Sequence, residues 1–229
     1  MTKISHSLRR GLDNIFVAFA WRYACHALML LLALLNETRP APSLPDSILS
    51  VIPRIEWVHR WNYHLWLLLY LPVALWLWRK SRPAFLHFLY VGGALSLLRG
   101  ICIPLTGLGP VHGPDVNVGK PAAELITAWL ALINPISALT GNAPSIYLTK
   151  DLFFSGHTAT TFLLWLYCRG RGPIGRVGLL AHVLVVVVVF TAHLHYTIDV
   201  VGAWFITYGL FAAATKRWPV IGQRPTLDP

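Results

Sequence analysis

The chain is poor in charge. Only 12% of its 229 residues are Asp, Glu, Lys or Arg, and nine of these are acidic, against about 25% charged residues in a soluble domain. Cysteine is scarce as well: Cys25, Cys102 and Cys168 stand apart, in or beside apolar runs, and form no CxxC pair. That spacing argues against a disulfide scaffold and against a metal or redox centre built on thiols. There is no internal repeat. What fills the chain instead is apolar, with 55% hydrophobic residues and a mean hydropathy of +0.57. One small water-soluble core cannot hide so much apolar mass, so a soluble enzyme and a disordered chain are both excluded. The composition points to a polytopic membrane protein.

Apolar stretches run at about 15–35, 62–79, 84–106, 157–169 (extended by Phe153 and Phe154), 174–194 and 198–215. They predict an all-α fold, a six-transmembrane-helix bundle forming one membrane domain over 1–229. An N-terminal segment, 1–14, and a tail, 216–229, flank it. Residues 1–14 carry no long apolar run and no small-residue cleavage site, so the first span is expected to be a retained helix rather than a signal peptide. The valine-rich run 183–190 reads as helix, because a lone strand could not satisfy its backbone in lipid. The 107–150 connector contains AAELITAWLALI, expected to form a short helix at the membrane surface.

The formal net charge of +10 resolves by side. Twelve Lys and Arg fall on the side of the N-terminus, including Lys3, Arg9, Arg10, the groups at 79–82 and 169–176, and Lys216, Arg217 and Arg224. Five fall on the other side: Arg39, Arg54, Arg60, Lys120 and Lys150. Arg22 and Arg99 lie within spans. The positive-inside rule then makes both flanking segments cytoplasmic. The acids run the opposite way, with only Asp13 and Asp228 on the cytoplasmic side. The positive excess is therefore a topology signal, and no nucleic-acid partner is implied.

Ionisable groups at membrane depth are expensive and usually functional. Two clusters sit at the exoplasmic ends of spans: Lys150-Asp151-Leu-Phe-Phe-Ser155-Gly156-His157-Thr158, and His193-Leu-His195-Tyr196-Thr197-Ile-Asp199. If the second is helical from His195, then His195 and Asp199 share a face one turn apart. A carboxylate there fixes the imidazole tautomer and stabilises the imidazolium, the arrangement of nucleophilic catalysis. His193 should point elsewhere. In the first cluster Gly156 allows close backbone approach, and the free N–H groups at a helix start suit a phosphate. His157 would stand over that anion as general acid, with Arg99 and Lys150 supplying further positive charge. Two histidines, a carboxylate and an anion cradle suggest phosphoryl transfer through a phosphohistidine. The plainer readings are that Ser155 serves the backbone, Asp151 caps a helix, and Arg22 and Arg99 pair structurally. His6, His26, His59, His64, His87, His112 and His182 read as interfacial anchors.

At these motifs the chain resembles the sphingomyelin synthase family of the lipid phosphate phosphatase/phosphotransferase superfamily. Ser155-Gly156-His157-Thr158 and His195-Tyr196-Thr197-Ile198-Asp199-Val200 look like its two catalytic motifs. Pro42-Ser43-Leu44-Pro45-Asp46 is similar to its proline-rich loop, and the stretch Arg99 to Pro110 is similar to its segment closing the third span. The resemblance covers roughly 42–212, in the right order. It implies a bundle of the lipid phosphate phosphatase type, with His195 as nucleophile, Asp199 orienting it and His157 as acid, then base. Ser155, Gly156, Asp151, Lys150, Arg99 and Tyr196 become candidate substrate-binding residues. The implied substrates are membrane lipids. A phosphocholine or phosphoethanolamine headgroup would pass to a ceramide-like alcohol, with neither cofactor nor metal. Two places depart from the family's pattern: Thr149-Lys150 precedes Asp151 where the family has Cys-Gly, and Trp204 stands in place of a Tyr. Ordinary lipid phosphatases have an Arg six residues before the nucleophilic His; Val189 there puts the chain closer to the transferase branch.

A lipid phosphate phosphatase using water as acceptor on the same triad is the alternative function. A proton-coupled transporter would instead place its ionisable residues near the bilayer midplane. The short chain without sorting motifs suggests a bacterial inner membrane with a periplasmic site, or else a Golgi-type membrane with a lumenal one.

Overall fold

A computed structural model describes residues 13–134, 136–137 and 148–219. The basic residues Lys3, Arg9, Arg10 and Arg224, together with His6 and Asp228, lie outside the described residues. Seven helices are described: α1 (Ile15–Glu37), α2 (Glu56–Lys80), α3 (Arg82–Thr106), α4 (Ala122–Ile133), α5 (Gly156–Cys168), α6 (Pro173–Thr191) and α7 (Thr197–Arg217). No strand is found among the described residues.

Local sequence sets the helix ends. Asn14 caps α1, its side chain accepting the N–H of Phe16 at 2.9 Å. α3 starts with a proline in its first turn and stops where Gly107 takes the left-handed conformation, φ 55°. α2 ends on Arg79 and Lys80, and α7 on Lys216 and Arg217, cations that suit the negative end of the helix dipole.

The helices run back and forth. α1 packs along α3, α5 lies between α6 and α7, and α2 closes against α6. The core joins Leu77 of α2, Phe88 of α3, Leu163 and Tyr167 of α5, and Ala203 of α7. Large apolar side chains also point outward: Phe16 is 79% exposed, Leu105 78% and Phe205 76%. A water-soluble surface does not carry such a set, whereas a lipid-facing one does.

Four helices, α1, α3, α6 and α7, are long and apolar enough to cross a membrane. The expected count of six is thus met for four. α2 has the length, but its first turns carry Glu56, His59, Arg60, Asn62 and His64. α5 has only 13 residues, about 20 Å at the rise of an α-helix. Phe153 and Phe154, expected to lengthen that span, lie outside the helix because Ser155 caps it.

The short helix expected within 107–150 is α4. It docks on α1 through Leu125 and Ala128, and the Trp129 indole donates to Ala27 O at 2.7 Å. The interfacial reading of His87 fails. It is buried in the bundle, bonded to the Tyr167 hydroxyl and edge-on to Trp218.

Two loops of the expected exoplasmic face, 38–55 and 107–121, are laced together. Gly109 N–H donates to Pro42 O at 2.8 Å, and the Ser43 hydroxyl to Pro110 O at 2.9 Å. A Cβ at Gly109 would overlap the backbone of Ala41 and Pro42. Gly109→Ala is therefore expected to cost about 1–3 kcal/mol, read as a lowered Tm of the detergent-solubilised protein.

Candidate active site

The site is built from the starts of two helices. α7 begins at Thr197, so His195 precedes the helix and does not share a helical face with Asp199. The two still meet. Asp199 sits in the first turn, fully buried, and its Oδ2 accepts the N–H of Tyr196 at 2.9 Å. The same oxygen lies 3.5 Å from Nδ1 of His195, itself 4% exposed. The carboxylate thus serves the helix start and faces the imidazole at once. With Nδ1 turned to Asp199, Nε2 is the nitrogen left to react.

At the start of α5 the Ser155 hydroxyl caps the helix by accepting the Thr158 N–H at 3.4 Å. The Ser155 N–H donates to the backbone oxygen of Asp199 at 3.0 Å, which joins the two motifs. His157 stands in the first turn, its ring edge-on to Trp66 of α2 at 5.6 Å. It lies within electrostatic range of His195, Arg99 and Asp151. His157, His195, Asp199, Asp151 and Arg99 therefore gather at one end of the bundle. Gly156 lets the backbone lie close to Arg99: a Cβ there would stand 3.3 Å from the guanidinium, a tight contact.

The remaining expected binders have internal duties. Arg99 is almost fully buried and holds the 151–154 segment against α3. Nε donates to Phe154 O at 2.5 Å, Nη2 to Asp151 O at 2.8 Å, and Nη1 pairs with Asp151 Oδ1 at 2.7 Å. Its charge is matched by Asp151 rather than free for a phosphate.

Lys150, expected beside a headgroup, is engaged elsewhere. Its ammonium is buried and donates to both Asp115 oxygens, at 2.7 and 2.8 Å, and to Arg39 O at 2.7 Å. All three of its donors are used within the protein. Tyr196 is also structural: its buried hydroxyl accepts from Leu44 N–H at 3.0 Å and faces the carbonyls of Gly109 and Pro110. Ser155 is fully buried and is engaged as the helix cap. His193 turns away as expected, with Nε2 2.9 Å from Ile52 O.

Two groups were not among the expected site residues. Asp46, in the proline-rich loop, grips the start of α7: Oδ2 accepts Thr197 N–H at 2.6 Å and Oδ1 accepts the Thr197 hydroxyl at 2.9 Å. His26 of α1, read as an interfacial anchor, comes within electrostatic range of Arg99 and Asp151. The proline-rich motif pointed to the loop that holds Asp46 but not to its grip on Thr197, 151 residues away. His26 has no local signal, since its neighbours lie on other elements. Among the described residues no group of three or more His, Cys, Asp or Glu could hold a metal ion.

Burial alone would raise the pKa of Asp46, but the hydrogen bonds from Thr197, Leu49 and Ile48 outweigh it and hold the carboxyl below its ordinary value. The stability this carboxylate contributes is complete above the unfolded value of about 3.9. It is lost as pH falls through the lower folded value. The Tm difference between wild type and Asp46→Asn is expected to be constant down to about pH 5 and to shrink below about pH 4. Lys150→Met is expected to lower stability by about 2–3 kcal/mol in a denaturation series, leaving headgroup preference unchanged.

Comparison with known proteins agrees with the motifs. Residues 150–216, which carry both histidine motifs, match the model of the PAP2 superfamily C-terminal region. The chain is 29% identical over 213 residues to human phosphatidylcholine:ceramide cholinephosphotransferase 1, covering 86% of this chain and 51% of that protein. It is 30% identical over 181 residues to rat phosphatidylcholine:ceramide cholinephosphotransferase 2, covering 73% of this chain and 48% of the relative. The chain thus spans about half the length of the curated relatives it matches.

Proposed function

We propose that this chain is an integral-membrane lipid phosphotransferase that moves a headgroup phosphate ester to a ceramide-like alcohol through a phosphohistidine. The observation that carries the reading is the pairing of buried Asp199 with Nδ1 of His195, at 3.5 Å, beside His157 at the start of the neighbouring helix. Its relatives are named for transfer of phosphocholine from phosphatidylcholine to ceramide.

The chemistry follows from which nitrogen is free. Nε2 of His195 attacks the phosphorus of a phosphatidylcholine-type lipid, and the bond from phosphorus to the glycerol oxygen breaks. Protonated His157 gives its proton to the departing alkoxide, releasing diacylglycerol. The headgroup then rests on His195, whose Nδ1–H faces the Asp199 carboxylate that offsets the imidazolium charge. An incoming primary alcohol gives its proton to His157, and its oxygen attacks phosphorus. The N–P bond breaks and both histidines return to their starting states. The Arg99–Asp151 pair fixes the segment that carries His157.

The charge asymmetry supports six crossings with the triad on the exoplasmic side. That side is periplasmic in a bacterial inner membrane or lumenal in a Golgi-type membrane.

The test is to incubate the purified chain in vesicles with labelled phosphatidylcholine, phosphatidylethanolamine or phosphatidic acid, with and without ceramide. Labelled product that forms only when ceramide is present is the expected result. Free phosphate from phosphatidic acid without ceramide would replace the transferase reading by the phosphatase one. His195→Ala and Asp199→Asn should each lower turnover by about a thousandfold or more. His193→Ala should stay within about threefold. Near-normal turnover in His195→Ala would refute the triad.

A further inference from the structure

Behind His157 a buried polar chain crosses three helices. Trp204 Nε1 of α7 donates to Nε2 of His182 on α6 at 2.9 Å. Nδ1 of His182 lies 3.0 Å from the hydroxyl of Thr161 on α5. That hydroxyl donates to the backbone oxygen of His157 at 2.9 Å, and lies 3.3 Å from that of Thr158. His182 and Thr161 are 5% and 3% exposed, so no water competes for these groups.

The donors and acceptors allow one direction only. An indole nitrogen has a proton to give and no lone pair to receive one. Nε2 of His182 must therefore accept, which leaves the imidazole neutral with its proton on Nδ1. Thr161 has a single proton. If it is given to the His157 carbonyl, the oxygen is free to accept from His182 Nδ1–H. The order is Trp204 to His182 to Thr161 to His157. A doubly protonated His182 would set N–H against N–H at Trp204 and break the chain.

Its placement has a consequence. The three helices it links are those that carry or adjoin the triad: α5 bears His157, α6 leads into the turn with His195, and α7 bears Asp199. With Thr161 bonded only within its own helix, the polar tie between α5 and α7 would be left to the Ser155–Asp199 bond ahead of the first turn. Bonded through His182 to Trp204, the first turns of α5 are held in register with α7. We propose that His182, clamped neutral between Trp204 and Thr161, is a positioning residue that sets the distance from His157 to His195. The proposal rests on the reading of His157 as the proton-transfer group.

A purely structural role would lower stability in every variant without a selective effect on the chemical step, so the test separates these. Headgroup transfer from a fluorescent phosphatidylcholine to ceramide is measured for the full chain in micelles. Thr161→Val, isosteric but without the hydroxyl, and Trp204→Phe are expected to lower kcat by about tenfold or more with KM within about twofold. Thr161→Ser restores the hydroxyl and should recover kcat to within about threefold. The double variant should be no worse than the poorer single one, since both break one chain. Nitrogen-15 NMR of histidine-labelled protein gives a readout independent of turnover. It should show a neutral imidazole protonated at Nδ1, absent in His182→Gln.

Wild-type kcat in Thr161→Val overturns the proposal, as does a loss that Thr161→Ser does not repair. A His182 that is charged or protonated at Nε2 overturns it as well. If His157→Ala leaves transfer intact, it is the reading of the active site that fails. If wild type transfers nothing, the proposed function fails and the positioning role falls with it.

Discussion

The structure turns on one buried carboxylate. Asp199 has no exposed surface, and a buried carboxyl group needs polar partners. Oδ2 has the Tyr196 N–H and faces His195, whereas Oδ1 has no hydrogen-bond partner among the described residues. Its side chain takes the N–H at the start of α7 and faces the His195 ring, while its backbone oxygen takes the N–H of Ser155. The chain therefore cannot start its last helix correctly without also bringing both histidine motifs together. Helix capping, the docking of the two motifs and the placing of His195 against a carboxylate are one event.

Around that event the polar groups divide into those that face the reaction centre and those that hold loops. Lys150, Arg99 and Tyr196 belong to the second class. Glu37 shows the same economy. Its two oxygens collect the Lys150 N–H, the Asn117 amide and the Thr149 hydroxyl, so the end of α1 is stitched to the segment leading into the first motif. In a chain with so few charges, most of those near the site are consumed in building it. Under the proposed mechanism, the pair of imidazoles is what remains to move protons.

Much of this was legible in the sequence. Apolar runs placed six helices to within a few residues, although α2 starts six residues early at Glu56, where polar residues join the helix. The i to i+4 spacing of His195 and Asp199 correctly implied contact but for the wrong reason: the helix starts between them. What could not be read was the partner of each cation. Lys150 finds Asp115 thirty-five residues upstream. Arg99 finds the Asp151 carboxylate together with the carbonyls of Asp151 and Phe154, a pairing that the spacing along the chain does not announce. Motif proximity made both look like ligands for phosphate, whereas long-range partners had already claimed them. His182 was misread for the same reason, since nothing local signals an indole from another helix.

The brevity of α5 bears on what surrounds it. At about 20 Å it falls short of a hydrocarbon layer of about 30 Å. The turn that follows it carries Arg169 and Arg171, and α6 starts at Pro173. Arg169 lies over the Phe211 ring and Arg171 donates to the Tyr167 carbonyl, so both guanidinium groups are anchored at that depth. That flank is protein rather than bilayer: α5 lies between α6 and α7 with most of its residues buried. A helix sheltered by its neighbours is freed from matching the hydrocarbon thickness, so the one that bears His157 can stop a full turn or more short of it.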